Sequence, residues 1–211
     1  MKKMLVLQLG VLLVLAGLLT GMFVFTDVYN EVRERIVRVL CLSCIKLQPY
    51  TIREFTFTTA NNASHPDFVL ENLTKGPVFL EYSEDACPAC DTMHPVIEQL
   101  FNVSYEKDQM FSQTVTFQNQ NITFIYINID HTTSEMRSSQ FIYDKDHISG
   151  LPMFSVVTLG NDNGIVKPYY TSVYGTLNLN TNNERIQLFT EIIQNSITIY
   201  QENVNGFHQD H

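Results

Sequence analysis

Four residues restrict this chain more than any others: Cys87-Pro88-Ala89-Cys90, placed where one kind of secondary structure gives way to another. Upstream, Pro77–Ser83 (Pro-Val-Phe-Leu-Glu-Tyr-Ser) is an apolar run of strand length that follows the Gly76-Pro77 turn. Downstream, Pro88 to about Phe101 reads as a helix. The remaining sequence continues this alternation. Glu54–Thr58 reads as a strand, Pro66–Leu73 as a short helix and Ile122–Ile129 as a strong strand after polar sequence, and a helix is expected within Ser134–Tyr143. Met153–Leu159 and Ile165–Tyr174 flank Gly160-Asn-Asp-Asn-Gly164, which is hairpin grammar. Asn183–Tyr200 is a closing amphipathic helix. Strand-helix alternation that ends in a hairpin and a helix implies an α/β sheet covered on both faces.

A cysteine at a strand-to-helix junction is a chemical position. Cys87 falls near the N-cap and Pro88 at the first helical residue, where its missing N–H is not needed. The unsatisfied N–H groups and partial positive charge of a helix N-terminus stabilise a thiolate and lower its pKa. Thiolate is the attacking species in disulfide exchange. Cys90, one turn on, is placed to attack a mixed disulfide formed at Cys87, which would release the reduced partner and leave the pair oxidised.

The stretch from Pro77 to Pro95, PVFLEYSEDACPACDTMHP, resembles the active-site strand, loop and helix of the thioredoxin superfamily. An acid, Glu81, lies six residues before the first cysteine, and a helix-kinking proline, Pro95, eight after it. Gly150-Leu151-Pro152, followed by a strand, is similar to the family's cis-proline loop, and Ile127-Asn-Ile-Asp130 matches its central strand. The resemblance spans about Thr51 to Tyr200, with extra sequence at about Asn102–Asn121 and Thr132–His147. It implies a thioredoxin-like fold and exchange of dithiol and disulfide with protein substrates, without a cofactor. Cys87 is then the nucleophile and Cys90 the resolving thiol. Glu81 becomes a buried proton relay with a raised pKa, the alternative being an exposed strand glutamate. Pro152 in cis shapes a peptide site with Leu151, Pro88 and Ala89; an ordinary trans loop proline is the alternative. Three departures stand out: Tyr126 where a lysine often neighbours the acid, Ala86 in place of an aromatic, and no tryptophan. They leave the fold reading intact and the redox potential open.

From Met4 to Phe25 no residue is charged, and as a helix this stretch is about 33 Å long against a bilayer core of about 30 Å. A single transmembrane anchor is expected, with a cleaved signal peptide as the competing reading. Lys2 and Lys3 precede the stretch and Arg33, Arg35 and Arg38 follow it, so basic residues do not set its orientation. The three-residue head and the cysteine chemistry favour a catalytic domain on the extracytoplasmic side of the cell membrane. Sequons at Asn62, Asn72, Asn102 and Asn121 agree with that side, but roughly two or three would arise by chance. The expected organisation is head and anchor over residues 1–25, a juxtamembrane amphipathic helix over 26–50, the folded domain over 51–203 and a polar tail over 204–211. A net charge of −9 disfavours a nucleic-acid surface.

Cys41-Leu42-Ser43-Cys44 forms a second pair beside the expected span. Within a continuous helix its Cβ atoms would lie about 5–6 Å apart, too far for a disulfide, so bonding requires the helix to end there. A second redox couple, served by or serving a membrane redox partner, competes with a structural disulfide or buried thiols and with metal ligation. Two CxxC pairs offer the four thiolates of a zinc site, but the 42 intervening residues are long for a zinc ribbon. No metal is expected at Cys87 and Cys90. His94 reads as a solvated helix residue, and His131 and His147 as loop residues. The rival to an enzyme is a tethered domain that binds a metal or a client without turnover.

Overall fold

The computed structural model describes residues 54–207. The expected span Met4–Phe25, the juxtamembrane helix and the Cys41/Cys44 pair lie outside the described residues. Among the described residues, no helix is long and apolar enough to cross a membrane.

The elements run α1 (Asp67–Leu73), β1 (Val78–Ser83), α2 (Pro88–Phe101), β2 (Phe111–Phe117), β3 (Gln120–Asn128), α3 (Ser134–Tyr143), β4 (Met153–Asp162), β5 (Ile165–Tyr174) and α4 (Asn182–Asn203). The strands form one mixed sheet in the order β2-β3-β1-β4-β5. β1 pairs in parallel with β3 and antiparallel with β4, so the strand that leads into the cysteine pair is the central one.

All six residues of β1 are buried, and the period-2 alternation of a strand divides them between two cores. Phe79 joins Phe124 and Phe154 under Met93, Ile97 and Phe101 of α2 and Phe189 and Ile193 of α4. Val78, Leu80 and Tyr82 face the other way, against Val69 and Leu73 of α1 and Tyr143 of α3. Glu81, two residues after Phe79, therefore points toward the α2 side. α4 starts from a capping box: Thr181 Oγ1 accepts from the Glu184 N–H, and the Glu184 carboxylate accepts from the Thr181 N–H at 2.9 Å.

Three expectations about the elements are corrected. Glu54–Thr58 is not a strand: only Thr56 bridges to Tyr170, while Phe55 and Phe57 pack their rings on Tyr169. One bridge, with backbone hydrogen bonds of 2.7 and 3.0 Å between Thr56 and Tyr170, and these ring contacts hold the segment in place of a continuous ladder. Conversely, the polar sequence between Asn102 and Asn121, where no element is expected, contains a strand, β2, joined to β3 through Gln118 and Asn119, both at positive φ. A two-residue turn of that kind matches the twist of a hairpin. The β4–β5 hairpin is likewise tighter than expected, since pairing continues to Asp162–Ile165 around Asn163 and Gly164, both at positive φ.

Candidate active site

Cys87 is the N-cap of α2, in extended backbone conformation, with Pro88 at the first helical position. It is joined to Cys90 by a disulfide, with Cα atoms 5.2 Å apart. The Cys90 N–H donates to Cys87 Sγ at 3.1 Å, so one of the orphan donors of the helix terminus already faces the sulfur that would carry charge after reduction. Cys87 is as covered as Cys90 in this oxidised pair, at 1% and 5% exposure. Both belong to the α1–α3 side cluster, with Ala89 and Leu151 packed into it.

The loop before Cys87 is held by the ends of β3. The Asp85 N–H donates to the Asp130 carboxylate at 3.0 Å, and Asn128 Nδ2 donates to Asp85 Oδ1 at 2.9 Å and to the Lys107 carbonyl at 2.6 Å. His131, read as a plain loop residue, sits 2.8 Å from Asp85 Oδ2. The hydrogen bonds from Asn128 and His131 hold the Asp85 carboxyl below its usual range.

Glu81 is 1% exposed. Burial pushes its carboxyl up to about 8, opposed by a hydrogen bond from Tyr105 and reinforced by the charge of Glu98. The Tyr105 hydroxyl donates to Oε2 at 2.7 Å, and Oε1 accepts no hydrogen bond from the protein. Glu81 and Cys90 line one pocket of about 190 Å³, whose wall includes Asp91, His94, Lys107 and Tyr126. His94 is not the solvated residue expected. Its side chain is 12% exposed and its ring packs 4.3 Å from that of Tyr105, and burial lowers its pKa.

The Leu151–Pro152 peptide is cis. Met153, directly after it, pairs with Tyr82 at the end of β1 from which the chain leaves toward Cys87. The loop and the cysteine pair thus occupy the same end of the sheet. Buried Asp144 shapes the approach, its two carboxylate oxygens accepting from the Ile148 and Ser149 N–H groups at 2.9 and 2.8 Å.

The described sequence-predicted residues Glu81, Cys87, Pro88, Ala89, Cys90, Leu151 and Pro152 are therefore gathered at one end of β1. Sequence reasoning missed Tyr105 and Asp144. Tyr105 sits in a polar connection that lacks periodicity, and Asp144 gives no signal beyond its place just after a helix. Among the described residues, no group of three or more His, Cys, Asp or Glu side chains is arranged to hold a metal ion. The mixed α/β architecture and the Cys87–Cys90 disulfide are compatible with a thioredoxin-like fold. No family model matches the chain, and no curated protein matches it significantly.

Proposed function

We propose that this protein is a thiol-disulfide oxidoreductase of thioredoxin-like type, acting on protein thiols and disulfides. The observation that carries the reading is the shared pocket: a buried carboxyl and the second cysteine of a helix-capping disulfide open onto one space. A CxxC pair kept only for structure gains nothing from an ionisable group beneath it, which costs several kcal/mol to bury ionised.

In the reducing direction, the Cys87 thiolate attacks a substrate disulfide, forming a Cys87–substrate bond and expelling one substrate thiolate. Cys90 gives its proton to ionised Glu81. Its thiolate attacks Cys87 Sγ, the Cys87–Cys90 bond forms and the second substrate thiolate leaves. Two electrons have passed from the cysteine pair to the substrate. In the oxidising direction, a substrate thiolate attacks Cys87 Sγ and the departing Cys90 sulfur takes its proton from protonated Glu81. Leu151, Pro88 and Ala89 would contact the substrate chain, and Pro152 would shape the loop that receives it.

We further propose that residues 4–25 anchor the chain in the cell membrane and that the catalytic domain faces the extracytoplasmic side, where disulfides persist. On this reading Cys41 and Cys44 form a second redox pair. The decisive assay is insulin reduction or refolding of reduced ribonuclease by the full-length, detergent-solubilised protein. Turnover that Cys87→Ser abolishes supports the proposal, whereas stoichiometric client or metal binding without turnover would replace it with a binding module. Impermeant maleimide should reach Cys87 in intact, reduced cells; labelling only after lysis would move the domain to the cytoplasm. Disulfide mapping of the Cys90→Ser variant tests the second pair: a Cys87–Cys41 or Cys87–Cys44 link supports exchange between pairs, and its absence removes it.

A further inference from the structure

We infer that Tyr105 is a positioning residue for the proton relay: by donating to Glu81 Oε2 it leaves Oε1 as the oxygen that exchanges a proton with Cys90. This rests on the oxidoreductase reading above and assigns a part to a residue outside its sequence motifs.

The geometry supports it from three sides. The Tyr105–Glu81 bond is short, at 2.7 Å, and buried, and Oε1 has no competing protein donor. The Tyr105 ring is fixed by its neighbours, with centroids 5.4 Å from Phe111 in a stacked pair, 4.7 Å from Tyr126 and 4.3 Å from His94. A phenol held this way meets the carboxyl without rotamer search. Finally, Tyr126, the residue beside Glu81 on β3, does not compete, because its hydroxyl donates to the Lys107 carbonyl at 2.9 Å.

The titratable groups around Glu81 and its pocket come from several elements: α2 contributes Glu98, His94 and Asp91, β3 contributes Tyr126, and the loops contribute Glu84, Asp85, Lys107 and Asp108, with Asp91 and Lys107 paired at 2.6 Å. On β4, the paired residue is Phe154 and brings no charge. Tyr105 is thus the group whose hydrogen bond favours the carboxylate against burial. Without it Glu81 would ionise at higher pH, and fewer molecules could accept the Cys90 proton near neutrality. The forward balance is Cys90–SH plus Glu81–COO⁻ giving Cys90–S⁻ plus Glu81–COOH. The thiolate then displaces the partner from Cys87, and the released partner thiolate takes up a proton from solvent.

The test uses the reduced, full-length protein in detergent, carrying Cys41→Ser and Cys44→Ser so that Cys87 and Cys90 are its reacting thiols, with an aromatic disulfide, 5,5′-dithiobis(2-nitrobenzoate). Attack by Cys87 releases one chromogenic thiolate, and resolution by Cys90 releases a second. Stopped-flow traces between pH 5 and 10 separate the steps. Tyr105→Phe should leave the first release unchanged, slow the second about tenfold at pH 7 and move its pH inflection up by about one unit, the scale of one hydrogen bond to a charged group. A Tyr105→Phe profile that superimposes on wild type overturns the inference. Infrared titration of the Glu81 carboxyl, taken as a difference against Glu81→Gln, separates this from the wider reading. If wild type releases no second thiolate, the oxidoreductase reading falls, and the carboxyl titration alone decides: an upward shift in Tyr105→Phe sustains the positioning role and no shift refutes it. Should Tyr105→Phe not fold, Phe111→Leu, which loosens the ring from behind, should give a smaller shift of the same sign, and no shift refutes the role.

Discussion

Tyr126 lies directly across from Glu81 in the parallel β1–β3 pairing, but its hydroxyl turns from the carboxyl to the Lys107 carbonyl, 2.9 Å away. At a position where the resembled family often carries a lysine, this sheet offers Glu81 no cation. The Lys107 ammonium is itself engaged by Asp91 at 2.6 Å. With burial as the leading influence, Glu81 is a store of one proton at neutral pH.

That store should appear in the stability of the fold. The folded carboxyl titrates at about 8 against an ordinary 4.5, so between these values the folded state binds the extra proton. Wild-type stability should therefore be greatest below about pH 4.5 as far as this group is concerned, fall as pH rises to about 8, and then level. Glu81→Gln should remove that slope, becoming more stable than wild type at pH 8.5 by up to about 4 kcal/mol. Urea unfolding of both oxidised proteins at pH 5 and 8.5 measures it, and parallel curves would contradict a raised Glu81.

His65 should act at the other end of the scale. Its Nδ1 lies 3.1 Å from the Tyr143 hydroxyl, and burial lowers its pKa from 6.5 to about 4. The unfolded chain then binds the proton first, so stability present above pH 6.5 is lost as pH falls toward 4, by at most about 3 kcal/mol before solvent screening. His65→Phe should lose a constant increment with the Tyr143 bond yet show a flatter acid limb in thermal melts from pH 7 to 4.

For the reduced protein, iodoacetamide should alkylate Cys87 well below the pH at which an ordinary thiol, of pKa about 8.5, reacts. Cys90 should lag, because the N–H contact at the helix terminus is made to Cys87 Sγ. Peptide mapping after timed quenching distinguishes them, and equal rates would remove the assignment of nucleophile and resolving thiol.

Gly76 sets how the chain enters β1. It has φ +153°, and a Cβ there would stand 2.2 Å from the Asn121 carbonyl oxygen, a backbone atom. Gly76→Ala should cost about 2–4 kcal/mol, read as a lower urea midpoint with an unaltered alkylation profile for Cys87 in the folded fraction.

What could be read from sequence follows from where local chemistry and tertiary demand agree. β1 and the start of α2 were legible because an apolar run, a turn proline and a helix-capping cysteine all mark the same boundary. α4 was legible from its apolar stripe. β2 was not, since of its seven residues only Val115 is buried, and an edge strand that covers one face looks like a polar loop. Glu54–Thr58 misled for the opposite reason. Its alternating Phe55 and Phe57 suit a strand, yet they are used for ring contacts with Tyr169. Of the site, the cysteines, Glu81 and the Leu151–Pro152 loop were legible from their motifs. Tyr105 reaches Glu81 across 24 residues of sequence, and no local pattern announces such a contact.

The Cys87–Cys90 disulfide links residues only three apart in sequence. Closing so small a ring removes little freedom from the unfolded chain, about 2 kcal/mol by the loop-entropy relation, against about 3 for a fifteen-residue loop. Cohesion rests instead on the two apolar clusters, in which Phe79 alone meets the rings of Phe101, Phe124, Phe154 and Phe189. The bond can therefore be opened and remade while the architecture around it persists. On the proposed reading it is a hinge pin for electrons, not a rivet for the chain.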